Sequence, residues 1–137
     1  MICLDTNAAI ALLSGAATRI RSRFEDVLDG GETIAASSVV LFELWFGAAK
    51  SARREENIRK IAELVASPID VLNFDEDDAK EAGDIRADLS RIGTPIGPYD
   101  VLIAAQARRR EAVLVTANQR EFARVPRLRL EDWTAPL

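Results

Sequence analysis

Short apolar runs alternate with helix-periodic stretches along the whole of this chain, and that alternation restricts the fold more than any other feature. Strands are expected at 1–4, 33–36, 69–74, 112–116 and 127–130. Between them, apolar residues at helical spacing predict helices over 6–13, 17–29, 38–49, 55–66, 75–92 and 99–110. Ile58, Ile61, Ala62 and Val65 mark the apolar face of one of these helices, and Ala82, Ile85, Leu89 and Ile92 that of another. Ser14-Gly15, Gly30-Gly31 and Pro68 punctuate the pattern, and 93–98 is the one Gly/Pro-rich loop. Strands separated by helices imply a parallel sheet with helices on both faces. The expectation is therefore one domain over 1–137, a three-layer α/β/α sandwich around a central, mainly parallel five-stranded sheet. Ligands of such folds bind beyond the carboxyl ends of the strands. That rule singles out Asp5 after the first strand, Ser37 and Ser38 after the second, and Thr116 and Asn118 after the fourth.

Composition narrows the chemistry. Histidine is absent, which excludes His acid–base catalysis, His-activated nucleophiles and His-ligated zinc. The single cysteine, Cys3, has no internal disulfide partner, and a reducing cytoplasm is the expected compartment. No apolar run reaches the ~18 residues of a membrane span, and the first residues show no basic leader or cleavage site. Any catalysis must rest on carboxylates, Lys/Arg, hydroxyls or a hard, oxygen-bound metal. The net charge of −4 argues against bulk electrostatic binding of nucleic acid. Arginine nevertheless dominates the basic residues and comes in clusters: 19–23, 53–59, 108–110 and 120–129. Its fork suits phosphate, although solvated helix faces or, for Arg108 to Arg110, complementing a helix end explain such clusters equally.

Three carboxylates look out of place. Glu43 is the only charge between Val39 and Phe46, in a helix so apolar that it should be largely buried. A buried carboxylate needs a cation, a proton, an Arg or Lys partner, or an edge position facing water. Asp100 opens the helix that continues Val101-Leu102-Ile103, where capping and the helix dipole favour it in any case. Asp5 can likewise be an N-cap. Convergence of all three would bring strong repulsion unless a divalent cation intervened, and oxygen-only ligands select Mg2+ or Mn2+ over zinc.

These residues sit in segments that resemble PIN-domain ribonucleases, specifically the VapC-type and FitB-like toxins of toxin–antitoxin operons. The matching segments are Leu4-Asp5-Thr6-Asn7, Ser37-Ser38 through Glu43-Leu44 to Gly47-Ala48, Ile85-Arg86 with Leu89, and Gly93-Thr94-Pro95-Ile96-Gly97 leading to Asp100. Leu102 to Ala105, Val115-Thr116-Ala117-Asn118 with Glu121-Phe122, and Leu130-Glu131-Asp132-Trp133 complete the set. Each is common alone; their order and spacing together are specific. The resemblance implies a PIN-like sandwich and a Mg2+- or Mn2+-dependent endoribonuclease, with Asp5, Glu43 and Asp100 as catalytic and metal-ligating acids. It implies Thr6, Asn7, Ser38 and Thr116 as the polar groups that orient them. The family often places a fourth acid where this chain has Asn118, with Glu121 one turn on, so both stand as further candidates for the metal. Many relatives have His where this chain has Gln106. The resemblance further implies an RNA substrate, with Arg86 and Arg120 among the candidates for its backbone, and a homodimer. It also implies a cognate VapB-like antitoxin that plugs the acids with Arg or Lys, and for that partner Phe42, Trp45 and Phe46 are either a docking groove or core. Two alternatives stay open: a phosphatase using Asp5 as nucleophile, although Asn7 stands where such enzymes usually want a second Asp, and a catalytically silent binding module.

Overall fold

The structure, a computed structural model, describes residues 1–15 and 18–136. The elements run β1 (Ile2–Leu4), α1 (Thr6–Ser14), α2 (Thr18–Asp29), β2 (Ile34–Ser37), α3 (Ser38–Ala49), α4 (Arg54–Ala66) and β3 (Asp70–Leu72). They continue with α5 (Glu76–Arg91), α6 (Pro98–Arg109), β4 (Val113–Val115), α7 (Gln119–Phe122) and β5 (Arg129–Glu131). All strand pairs are parallel, in the order β3-β2-β1-β4-β5. The three inner strands are nearly continuous apolar runs because both their faces are covered, whereas the edge strands β3 and β5 are partly exposed. Helices α1 to α4 pack among themselves and α5 packs on α6, the two-sided grouping that right-handed crossovers give a parallel sheet of this order. The strand order reverses between β1 and β4, which opens a crevice at their carboxyl ends.

Several boundaries move for identifiable reasons. The expected start of the second helix at 17 lies outside the described residues. The third strand stops at Leu72 because the Phe74 N–H is held by the Ser38 hydroxyl and Asp75 caps α5. Strand five begins at Arg129, since Arg127 has φ 62 and cannot be extended. The four-residue α7 is too short to show a period. Ile92 lies past the end of α5 and is 68% exposed, and Val65 and Ala62 face outward while Ile61 and Leu64 carry the contact of α4. Most consequentially, α3 is not largely buried. Val40, Leu44 and Ala48 are buried, Val39 and Leu41 pack partly against the core, and Phe42 and Phe46 are more than half exposed.

On the opposite face, α5 and α6 are clamped by charge. Asp75 and Asp78 form a capping box at the start of α5. Asp78, fully buried, also accepts from Arg109 Nε at 2.7 Å, Arg110 Nη1 at 2.9 Å and Gln106 Nε2 at 3.1 Å. Burial alone would raise its pKa, but the Arg110, Asp75 N–H, Arg109 and Gln106 hydrogen bonds outweigh it and hold the carboxyl well below the usual range. Arg108 pairs with Glu81 at 3.1 Å. The run 108–110 therefore ties two helices together, beyond any role at the helix end. Cys3 is core packing: burial pushes its thiol up to about 11, which leaves it unreactive.

Candidate active site

Sheet register assembles the centre of the site. Leu4 pairs with both Ala36 and Val115, and Val115 with Glu131. The residues one step further on, Ser37, Asp5, Thr116 and Asp132, therefore stand side by side at the carboxyl edge. In parallel strands, residues at one level point to the same face. Ser37 is occupied as the N-cap of α3, its hydroxyl accepting from the Val39 N–H at 2.9 Å.

Asp5 is the N-cap of α1, and its Oδ1 accepts from the Ala8 N–H at 2.7 Å. It is 3% exposed. Burial raises its pKa, hydrogen bonds from the Thr116 hydroxyl and the Ala8 N–H hold it down, and the charges of Glu43 and Asp132 push it up again. Capping and a site role therefore coexist: Oδ1 serves the helix N-terminus, and the Thr116 hydroxyl also bonds the carboxylate. Among the described residues, Glu43 has neither an Arg nor a Lys ion-pair partner. Its Oε1 accepts from the Thr6 hydroxyl at 2.7 Å, which links α3 to the first turn of α1. It is half-buried.

Asp100 enters from the first turn of α6. Burial, followed by the charges of Glu121, Glu43 and Asp5, pushes its pKa from 3.8 up to about 6. Gly97, the N-cap of α6, lies against it. A Cβ at Gly97 would fall 3.0 Å from Asp100 Oδ2 and 3.7 Å from Glu121 Oε1, so any side chain there would press on the Asp100 carboxylate. Glu121 Oε1 accepts from the Gly97 N–H at 2.7 Å, and its Oε2 accepts from Asn118 Nδ2 at 2.7 Å. The Gly97 and Asn118 hydrogen bonds lower the Glu121 pKa. Glu121 thus serves as a borrowed cap for α6, and Asn118 holds Glu121.

The fold accordingly gathers Asp5, Glu43 and Asp100 into mutual electrostatic contact and adds Glu121 and Asp132 at the rim. Among the described residues, no three Asp, Glu or Cys side chains close into a ready-made cage around an ion. The arrangement is open. A hard dication such as Mg2+ keeps several waters and needs only one or two protein carboxylates, so oxygen donors under mutual repulsion suit it. Of the four polar residues the resemblance names, Thr6 donates to Glu43 and Thr116 bonds Asp5. Asn7 is exposed and makes no recorded hydrogen bond to them, and the Ser38 hydroxyl serves the Phe74 N–H at 3.2 Å instead. Gln106 belongs to the Asp78 clamp, so an imidazole at that position would not reach the acids. Asp132 escapes sequence reasoning because the fifth strand is expected to end at Leu130. The end-of-strand rule that finds Asp5 finds it once the strand reaches Glu131.

The chain and its fold have known counterparts. The PIN domain family profile matches residues 2–128. The chain is 46% identical over 131 residues to the tRNA(fMet)-specific endonuclease VapC of Shigella flexneri, covering 96% of each chain. A crystal structure of VapBC2 from Rickettsia felis, bound to a promoter DNA fragment, superposes with a TM-score of 0.89 at 34% identity, over 97% of this chain and 99% of that one. DNA-bound VapBC from Salmonella typhimurium gives 0.86 at 43% identity, over 96% and 97%. With the family profile, the sequence identity and the fold in agreement along nearly the full length, the chain belongs to the VapC group of the PIN-domain family.

Proposed function

We propose that this protein is a Mg2+- or Mn2+-dependent endoribonuclease, the toxin of a toxin–antitoxin pair, held inactive by a VapB-like antitoxin. The observation that carries the reading is the electrostatic strain at Asp100, whose carboxyl is pushed up to about 6 by burial and by three neighbouring acids. Such a cluster is relieved by a doubly charged ion. Asp5, Asp100 and Glu43 would hold it, and when bound it supplies water activation and charge neutralisation at phosphorus. The chain's own groups do the positioning. Thr116 and the Ala8 N–H fix Asp5, Thr6 fixes Glu43, and the Glu121–Gly97 contact fixes the turn bearing Asp100. Similarity to a tRNA(fMet)-specific enzyme makes initiator tRNA the first substrate to try.

The inhibitor has a place to lie. A cavity of about 280 Å3 runs between α1, α3 and α4, lined by Ile10, Leu13, Leu44 and Ile61, with Glu43 and Lys60 on its edge. Phe42, Trp45 and Phe46 do not line it. Phe42 packs edge-on against Tyr99 at 5.4 Å, and Phe46 lies under Lys50 at 4.8 Å. An antitoxin tail with apolar residues in this groove and a cation beside Glu43 would cover the acids. No helix among the described residues is long and apolar enough to cross a membrane, and the reading includes cytoplasmic action as a homodimer.

The test is cleavage of purified initiator tRNA and of an unstructured RNA, with Mg2+, Mn2+ or chelator. Discrete fragments that need metal and vanish in Asp5→Asn, Glu43→Gln and Asp100→Asn are the expected result. Phosphate release from small esters would instead favour a phosphatase, and folded protein with no turnover would favour a binding module.

A further inference from the structure

The loop 93–98 has two faces. On one, Gly97 touches Asp100 and Glu121. On the other, Pro95, Ile96 and Pro98 wall a second cavity of about 280 Å3 whose floor is Leu89 of α5 and Val101 of α6. Arg86 and Ser90, both exposed, stand at its rim. Pro98 and Val101 belong to the turn of α6 that carries Asp100, so cavity and acids lie back to back across one loop.

Charge distinguishes this cavity from a packing gap. The other arginines of α5 and α6 are neutralised: Arg91 by Asp88, Arg108 by Glu81, and Arg109 by Asp78. Arg110, just beyond α6, is also paired with Asp78. Arg86 has no recorded ion pair among the described residues, and neither has Arg120 on the far side of the loop. Arg124 donates to the Pro95 carbonyl at 2.9 Å, which pins the wall. An unpaired guanidinium beside a slot walled mainly by apolar side chains, in a chain of net charge −4, fits a ligand that joins an apolar plate to an anion.

Resting on the ribonuclease reading, we infer that this cavity receives one unstacked nucleobase of the RNA next to the scissile phosphate, with Arg86 on the adjoining backbone phosphate. Single-stranded RNA is read by splaying bases onto flat side chains, and proline rings with buried aliphatic groups supply such a surface. A cavity at the small end of ligand pockets suits a base rather than a whole nucleotide. The prolines fix the wall in advance of binding.

The experiment uses the full chain and a pool of random-sequence single-stranded oligoribonucleotides carrying 4-thiouridine. Irradiation in chelator is expected to crosslink RNA to the segment 86–98. Ser90→Phe, which fills the slot from an exposed position, abolishes that crosslink, and Arg86→Ala weakens it. With Mn2+ and the unmodified pool, the wild type shows a base preference at one position beside the cut. Ser90→Phe flattens that preference and raises KM by on the order of tenfold. Absence of cleavage by the wild type overturns the ribonuclease reading, while the crosslink still decides the cavity. Crosslinks confined to other faces, or an unchanged preference in folded Ser90→Phe or Arg86→Ala, overturn the inference. Occupation of the slot by an antitoxin side chain with RNA excluded does so as well.

Discussion

Removing the charge of Asp100 should stabilise the metal-free protein while abolishing its activity. Its carboxyl is raised from 3.8 to about 6 by burial and by Glu121, Glu43 and Asp5. At about 1.4 kcal/mol per tenfold change in proton affinity, ionisation costs the fold about 3 kcal/mol. Asp100 is half-buried, so solvent screening brings this to about 1–2 kcal/mol. The folded state binds this proton more tightly than the unfolded chain, so the contribution of Asp100 to stability is greatest below pH 3.8 and falls as pH rises through about 6. Asp100→Asn is close in shape and never ionises. In chelator at pH 8 it should melt about 3–8 °C above the wild type, and at pH 4 the two should coincide. Added Mg2+ or Mn2+ should raise the wild-type melting temperature with concentration and the variant's much less, narrowing or reversing the order. Thermal unfolding by circular dichroism at the two pH values, with and without metal, measures all of this. An Asn variant no more stable than wild type at pH 8 in chelator would refute the reasoning, as would an advantage that persists at pH 4.

Other perturbations probe the parts separately. Gly97→Ala keeps an allowed backbone, φ −54, but places a Cβ 3.0 Å from Asp100 Oδ2; cleavage should fall by about tenfold or more with little change in melting temperature. Thr6→Val removes the hydroxyl that orients Glu43, and kcat should drop by about tenfold while the fold loses only about 1 kcal/mol, read by single-turnover cleavage and denaturant unfolding. Asp78→Asn removes the buried carboxylate shared by the partly exposed Arg109 and Arg110, and should cost about 2 kcal/mol in urea unfolding. Because the folded pKa of Asp78 is depressed, its stabilisation is present above pH 3.8 and lost as pH falls below that value. The Asn variant should therefore lose part of the wild type's sensitivity to acid below pH 3.8.

The outline of the fold is legible because a doubly covered parallel sheet demands continuous apolar strands and periodic helices between them. Ile2–Leu4 and Val113–Val115 announce themselves, and with them the positions of Asp5 and Thr116. Glu43 stands out as the lone charge in an apolar run, yet that run is apolar for a different reason than burial. One face of α3 packs inward, and the other exposes Phe42, Trp45 and Phe46. Relations between distant residues are not legible. Nothing local reveals that Asp78 is the buried partner of Arg109 and Arg110, because only the packing of α5 on α6 brings them together. The roles of Glu121 and Gly97 are hidden likewise, since a four-residue helix has no pattern and a helix cap borrowed from 24 positions away has no sequence signature.

The strand order has a consequence for biosynthesis. β1 emerges from the ribosome first but lies at the middle of the sheet, and one of its two neighbours, β4, is translated more than a hundred residues later. Until that neighbour arrives, Asp5 lacks the Thr116 hydroxyl beside it and the Val115 carbonyl that receives its N–H. A nascent chain therefore cannot assemble the pocket during most of its elongation, and a protein that would attack RNA stays harmless to the machine translating it until that strand has docked.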